Sequence, residues 1–246
     1  MTRFSLAFAL LYIINIHLSA QSKIIFSRSS GGLNTGGTLD LMIYNPGDKS
    51  TKLLLKGTVS GRGEYNVATS PDNSKIVFST YRFSGWKLGI GDFKNETITN
   101  VRQLVTGSDY RYNVKYSPNG SKIVYQEYSW SSGNTNIMIA DQDGKNVTPL
   151  VKDKGHNRTP DWLRNGQTII FSSARGDSHC IYSKEVTGRN LKELTDNKGN
   201  DFAPSASRVE DKIAFLSDRG GKVNLYVMDI DGGNKINLTT TLKSDS

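Results

Sequence analysis

The chain has one cysteine, Cys180, in 246 residues. No disulfide can close within it, and no cysteine cluster can hold zinc or an iron–sulfur centre. Histidine is almost as scarce, with His156 and His179 the only two beyond the first twenty residues. No stretch approaches the roughly 20 consecutive apolar residues that a membrane-spanning helix needs. With hydrophobic residues at 36%, a polytopic membrane protein is excluded. The G-x-S-x-G elbow, the phosphate-binding P-loop, H-E-x-x-H and the dinucleotide fingerprint are all missing, so the common hydrolase, nucleotide and zinc-protease readings have no foothold. The expectation is a protein without catalytic residues, cofactor or metal. Asp141-Gln142-Asp143-Gly144 and Asp229-Ile230-Asp231-Gly232 begin like calcium loops but lack the third ligand and the closing glutamate, and they read as hairpin turns.

Against these absences, 31 Lys and Arg oppose 23 Asp and Glu, for a formal charge of +8. The cations are scattered and form no stripe of the kind that follows a phosphate backbone, so no nucleic-acid partner is expected. Three Trp, 11 Tyr and 9 Phe point to a folded chain. At the start, Arg3, the apolar run Leu6 to Ile14 and the small pair Ser19-Ala20 have the layout of a secretory signal over residues 1–20. The mature part, 21–246, would then be one domain, periplasmic or secreted, with no stable membrane insertion.

A short β-type phrase recurs five times: KIIFS from Lys23, KIVFS from Lys75, KIVYQ from Lys122, TIIFS from Thr168 and KIAFL from Lys212, at intervals of 52, 47, 46 and 44. The last four follow turn phrases, SPDNS, SPNGS, LRNGQ and SRVED, rich in residues that reverse a chain. A second strand follows each phrase, with aliphatics at alternate positions such as Leu41 and Ile43 or Ile137 and Ile139. A third ends in Leu54, Leu104, Leu150, Leu194 or Leu238, and a shorter fourth precedes the turn phrase, as in YNVAT and YNVKY. Four short strands per ~45 residues without helical periodicity predict an all-β fold, a β-propeller of about five four-stranded blades. A β-sandwich has no reason to repeat the same words at fixed phase. The innermost strand occurs only four times, so the first blade lacks it. Either the tail 241–246 supplies it, or that blade has three strands, or another chain completes it.

The phrases YSPNGSKIVYQ, NTNIMIADQDGKNVTPL and KIAFLSDRGGKVNLYVMDIDGGNKINLT resemble the WD-repeat-like units of the TolB propeller family and of the propellers carried by some serine peptidases. The resemblance spans about residues 22–241. It implies a periplasmic, non-catalytic, protein-binding scaffold, in envelope or transport-related assembly. It is specific for architecture and weak for activity. TolB also has an N-terminal α/β domain and a sixth blade, which find no match in these residues.

The tight turns fall at one end of the blades, and the long, dissimilar loops fall at the other. Variable loops on a rigid scaffold are where recognition concentrates. These loops and their flanks carry Tyr81, Arg82, Trp86, Tyr110, Arg111, Tyr128, Trp130, His156, Arg158 and Asp201, mostly types enriched in interface hot spots. They are the expected binding residues for a protein partner. Trp86 and Trp130 have a second reading, as packing between blades. A polysaccharide, bound or cleaved, is the alternative ligand, since exposed aromatic rings also stack on sugars. Trp162 and Cys180 are expected in the core, and Arg175-Gly176-Asp177 is read as repeat grammar rather than an adhesion tripeptide.

Overall fold

A computed structural model describes residues 15–16, 23–31, 36–153, 155–196 and 198–239. The rest of the segment read as an export signal, the tip of the first long loop and the tail 240–246 lie outside the described residues. The chain divides into two compact units, Met1–Gln103 and Leu104–Ser246. In the first, β1 (Asn15–Ile16), β2 (Lys23–Ser29), β3 (Leu39–Asn45) and β4 (Ser50–Leu55) form one antiparallel sheet. A second sheet contains β5 (Tyr65–Thr69), β6 (Lys75–Thr80), β7 (Lys87–Lys94) and β8 (Thr97–Gln103).

The second unit holds three further sheets. One consists of β9 (Tyr110–Tyr116), β10 (Lys122–Tyr128), β11 (Thr135–Asp141) and β12 (Thr148–Val151). The next has β13 (Arg158–Trp162), β14 (Thr168–Ala174), β15 (His179–Glu185) and β16 (Lys192–Glu193), and the last β17 (Asp201–Ala206), β18 (Lys212–Ser217), β19 (Asn224–Asp229) and β20 (Ile236–Asn237). Five four-stranded antiparallel blades in strict sequence order make this an all-β chain of the β-propeller class.

The alternation in the sequence sets the packing inside each unit, because successive side chains of a strand leave opposite faces of its sheet. Ile25, Leu41 and Ile43 of the first blade share a cluster with Val67, Ile76 and Phe78 of the second. In the second unit Val124, Ile137 and Ile139 meet Ile169, Phe171, Trp162 and Cys180, while Ile170 and Ile181 on the other face of that blade meet Ile213 and Phe215. Within each unit a blade thus hides the face its neighbour leaves open, at about 25 cal/mol per Å² of apolar surface.

The turn phrases are side-chain-capped turns. Ser70 Oγ donates to Asp72 and accepts from the Lys75 N–H, and Ser117 does the same with Asn119 and Lys122. The Asp-Gly turns are also turns in the structure: Asp141 accepts from Lys122 and Asn146, and Asp229 from Lys212 and Asn234. Their glycines do a second job. A Cβ on Gly144 (φ +85°) would sit 2.2 Å from the Leu104 carbonyl oxygen, and one on Gly232 (φ +90°) 2.5 Å from that of Leu194. The repeated glycine therefore lies against the carbonyl of a repeated leucine.

The inner strands β5, β9, β13 and β17 carry a bulge at one shared position. Asn66, Asn113, Thr159 and Ala203 have φ of 51°, 53°, 48° and 52°, and the register slips there in every pair. The next residue, Val67, Val114, Pro160 or Pro204, is buried, and these two residues together face a single buried aromatic on the neighbouring strand, Phe78, Tyr125, Phe171 or Phe215. The first blade differs. Its inner strand is β1, two residues lying within the segment read as an export signal, with Asn15 opposite Ile24 and Ile16 opposite Lys23.

Candidate recognition site

The long loops leave the blades after their second strands, where β6, β10, β14 and β18 end. In the first unit Trp86 is half-buried, its ring edge-on to Tyr65 at 4.8 Å and to Tyr81 at 5.1 Å. The Arg62 guanidinium lies 4.7 Å from the centre of the Tyr81 ring. Arg82 is held: its Nε and one terminal nitrogen donate to Glu64 Oε1 at 3.0 and 2.7 Å, and it also reaches the Lys56 carbonyl. Glu64 is fully buried. Burial pushes its carboxyl pKa up in spite of Thr80 and Arg82, which oppose the shift.

In the second unit the same construction recurs. Trp130 is edge-on to Tyr110 at 5.0 Å and to Tyr128 at 5.1 Å, and Tyr110 in turn touches Tyr112. Tyr110 and Tyr128 are a cross-strand pair of β9 and β10, so the sheet register itself places both rings beside the loop. The Trp130 N–H donates to Asp109, and the side chain is 56% exposed, the most open large aromatic among the described residues. Arg111, by contrast, is buried against Glu127 at 2.9 Å. Asp201 is buried too, bound by Arg219 at 2.8 and 3.0 Å.

Beside the aromatic group, the buried Asn157 donates its N–H and side-chain amide to the Thr135 carbonyl, and Thr135 is the cross-strand partner of Tyr128. His156 and Arg158 flank Asn157 and are exposed. Burial, with the charges of Arg158 and His156 adding to it, holds the His179 imidazole's pKa below the ordinary value. Tyr110, Tyr128, Trp130, His156 and Arg158 thus lie around one loop end of the second unit, whereas Arg82, Arg111 and Asp201 are engaged in ion pairs inside the protein. Sequence reasoning missed the partners Tyr65, Tyr112, Arg62, Glu64, Glu127 and Arg219. One signal was available: Arg82, Arg175 and Arg219 each stand seven residues after the first residue of the repeated phrase.

At the turn end of the blades, a groove of about 570 Å³ lies between the turns at 163–167 and 207–211. Its arginines are already committed, Arg164 to Asp211 and Arg208 to Asp161 and the Trp162 carbonyl. No group of three His, Cys, Asp or Glu suited to a metal is found among the described residues, and no helix there is long and apolar enough to cross a membrane.

The family model of the TolB β-propeller domain matches residues 85–245. Comparison with curated proteins gives no match. Among solved structures, a putative TolB from Agrobacterium tumefaciens is 23% identical with a TM-score of 0.69, over 86% of this chain and 79% of that one. TolB from Acinetobacter baumannii is 20% identical with a TM-score of 0.66, and the chain spans about half of it, 86% of this chain against 52% of that one. An oligogalacturonate lyase solved in complex with manganese is 14% identical with a TM-score of 0.58, over 88% and 61%. At such identities these structures speak for the fold alone. The family model covers well over half of the residues, and the chain belongs to the TolB β-propeller family.

Proposed function

We infer that this propeller is an exported, periplasmic or secreted, non-catalytic scaffold that binds a protein partner through the loop end of its blades, in envelope or transport-related assembly. One observation carries the reading: Trp130 stands 56% exposed while two tyrosines brace it edge-on. A rigid, half-open aromatic of this kind loses little conformational entropy on binding, which is why Trp and Tyr dominate hot spots. The non-catalytic part has support in the acids Glu64, Glu127 and Asp201, each neutralised by an arginine within the fold rather than facing a cleft. The export part draws on the N-terminal residue pattern and on the family.

The test is capture. Tagged wild-type chain and Trp130→Ala are used to pull down envelope and secreted proteins from the native host. A specific protein retained by the wild type and reduced at least tenfold by Trp130→Ala, with unchanged circular dichroism, supports the reading. Equal capture by both overturns it. The same exposed indole suits a sugar ring, so a glycan array and a reducing-end assay run alongside. Saturable glycan binding lost with Trp130, or turnover lost on His156→Ala, would transfer the site to a polysaccharide.

A further inference from the structure

The fourth blade brings three basic side chains together at its loop end. Arg158 on β13 pairs across with Ser172 of β14, and Ala174, two residues further along β14, pairs with His179 of β15. Cross-strand neighbours share a face, and this is the face on which Ile170 and Ile181 meet the fifth blade. Asn157 turns to the opposite face, where its Oδ1 accepts from Ser173 Oγ at 2.7 Å. Its neighbours His156 and Arg158 therefore leave the extended chain on the first face. The small residues Ser172 and Ala174 lie between the three bases. The backbone around them is held: Ser172 Oγ reaches the Arg158 carbonyl and Thr159 Oγ1, and the His179 N–H donates to Asn200 Oδ1 at 3.2 Å.

The acids around the loop end of these two blades are already committed. Asp153 pairs with Arg175 at 2.6 Å, Asp201 with Arg219 at 2.8 Å and Asp196 with Lys198 at 2.9 Å. Asp218 accepts from the N–H and the side-chain amide of Asn200, and Glu193 accepts the Tyr182 hydroxyl. Asp177 is exposed in the loop before β15. No ion pair among the described residues includes Arg158, His156 or His179. Outside the described residues the sequence holds one further acidic side chain, Asp245. The depressed His179 pKa, caused by burial and then by the charges of Arg158 and His156, is the electrostatic trace of bases gathered without a counter-ion.

We propose that Arg158, His156 and His179 form a carboxylate-binding site that takes an acidic segment of a protein partner. Arg158 supplies a permanent charge and a planar fork matched to a carboxylate, and the two imidazoles add charge only when protonated. A bound carboxylate provides the counter-ion and favours the imidazolium. Binding is thereby tied to pH: affinity is greatest on the acid side of the imidazole pKa and is lost as pH rises through its value in the complex. The inference rests on the scaffold reading for its protein partner and adds the partner's charge.

The probe is rhodamine-labelled hexa-aspartate, titrated by anisotropy into the full-length chain at low salt. Saturable binding is expected at pH 5.5, weakening severalfold by pH 7.5, a range over which the aspartates stay ionised. Arg158→Glu should weaken binding at least tenfold with unchanged circular dichroism, since Arg158 is exposed. Lys52→Glu, the same charge change at an exposed residue of β4, should alter it less than twofold. His156→Gln combined with His179→Gln should flatten the pH profile. No saturable binding, an equal loss on Lys52→Glu, or an unaltered pH profile in the double variant overturns the proposal. So does a tenfold gain on Asp245→Asn, which would give the bases to the chain's own tail, or trigalacturonate binding tenfold tighter than hexa-aspartate, which would give them to a sugar acid. A protein captured through Trp130 but indifferent to Arg158→Glu overturns this inference and leaves the scaffold reading standing. Hexa-aspartate binding that follows Arg158 and pH, in a chain that captures no protein, supports the carboxylate site and removes the scaffold reading.

Discussion

At the residue scale, two of the three arginines that read as recognition groups, Arg82 and Arg111, are held in ion pairs inside the fold. Arg82 meets Glu64 where burial already disfavours the carboxylate. Removing one partner of a buried pair leaves the other uncompensated, at a cost of about 3–5 kcal/mol. Arg82→Ala should therefore destabilise the fold by that order. The sign with pH follows from the raised carboxyl. Without Arg82, Glu64 in the folded state keeps its proton to higher pH than in the unfolded chain. The folded state then binds more protons across that window, and stability falls as pH rises from about 4.5 through the folded pKa. Urea midpoints of wild type and Arg82→Ala should lie closest at low pH and diverge towards neutrality. A gap that widens on acidification would refute this account. Trp130 contrasts with Arg82, because truncating an exposed ring away from any buried pair should change stability by no more than about 0.5 kcal/mol.

At the scale of the element, the recurrent words of the sequence record backbone demands, and glycine and non-glycine residues meet them differently. Gly144 combines a left-handed φ of 85° with the Leu104 carbonyl 2.2 Å from where a Cβ would go. Gly144→Ala must move backbone as well as strain it, and a loss of more than about 1 kcal/mol is expected in chemical denaturation. Ala203 already carries its Cβ at φ 52°. Left-handed backbone costs an L-residue roughly 1–2 kcal/mol, against roughly 0.4–1 kcal/mol of extra unfolded-state entropy for glycine. Ala203→Gly should thus stabilise by up to about 1 kcal/mol. Opposite signs from two single-carbon changes is the result to look for; a loss on Ala203→Gly would show that the bulge is not strained. The turn words were legible in advance because Pro, Asn, Asp and Gly announce reversals. The bulges were not, since Asn, Asn, Thr and Ala share no side-chain property that marks a left-handed residue within a strand.

For the whole molecule, blade number, strand order and the alternating core were readable because burial from blade to blade imposes one pattern five times. Ile76, Ile123, Ile169 and Ile213 are all fully buried within it, and only their first-blade counterpart Ile24 is half-buried. The loop-end site was readable only as composition. Nothing in the sequence separates the buried Arg111 from the exposed Arg158, because the difference lies in which acid the register brings across. From the sequence the first blade has no inner strand, to be supplied by the tail, by another chain or not at all, whereas the structure supplies it from Asn15–Ile16, within the segment read as an export signal. In an array of sheets, stability is close to a sum of each blade's own pairing and its neighbour interfaces, and local opening starts where that sum is smallest. Among the described residues, β2 has two residues paired on its inner side, while β14 is flanked by β13 on one side and fully paired with β15 on the other. Ile24 and Phe26 are half-buried, where Ile169 and Phe171 are fully buried. Native-state hydrogen exchange should therefore find the amides of residues 23–29 exchanging at least tenfold faster than those of 168–174. Equal protection of the two strands would mean that the first blade's inner edge is as well paired as that of the fourth.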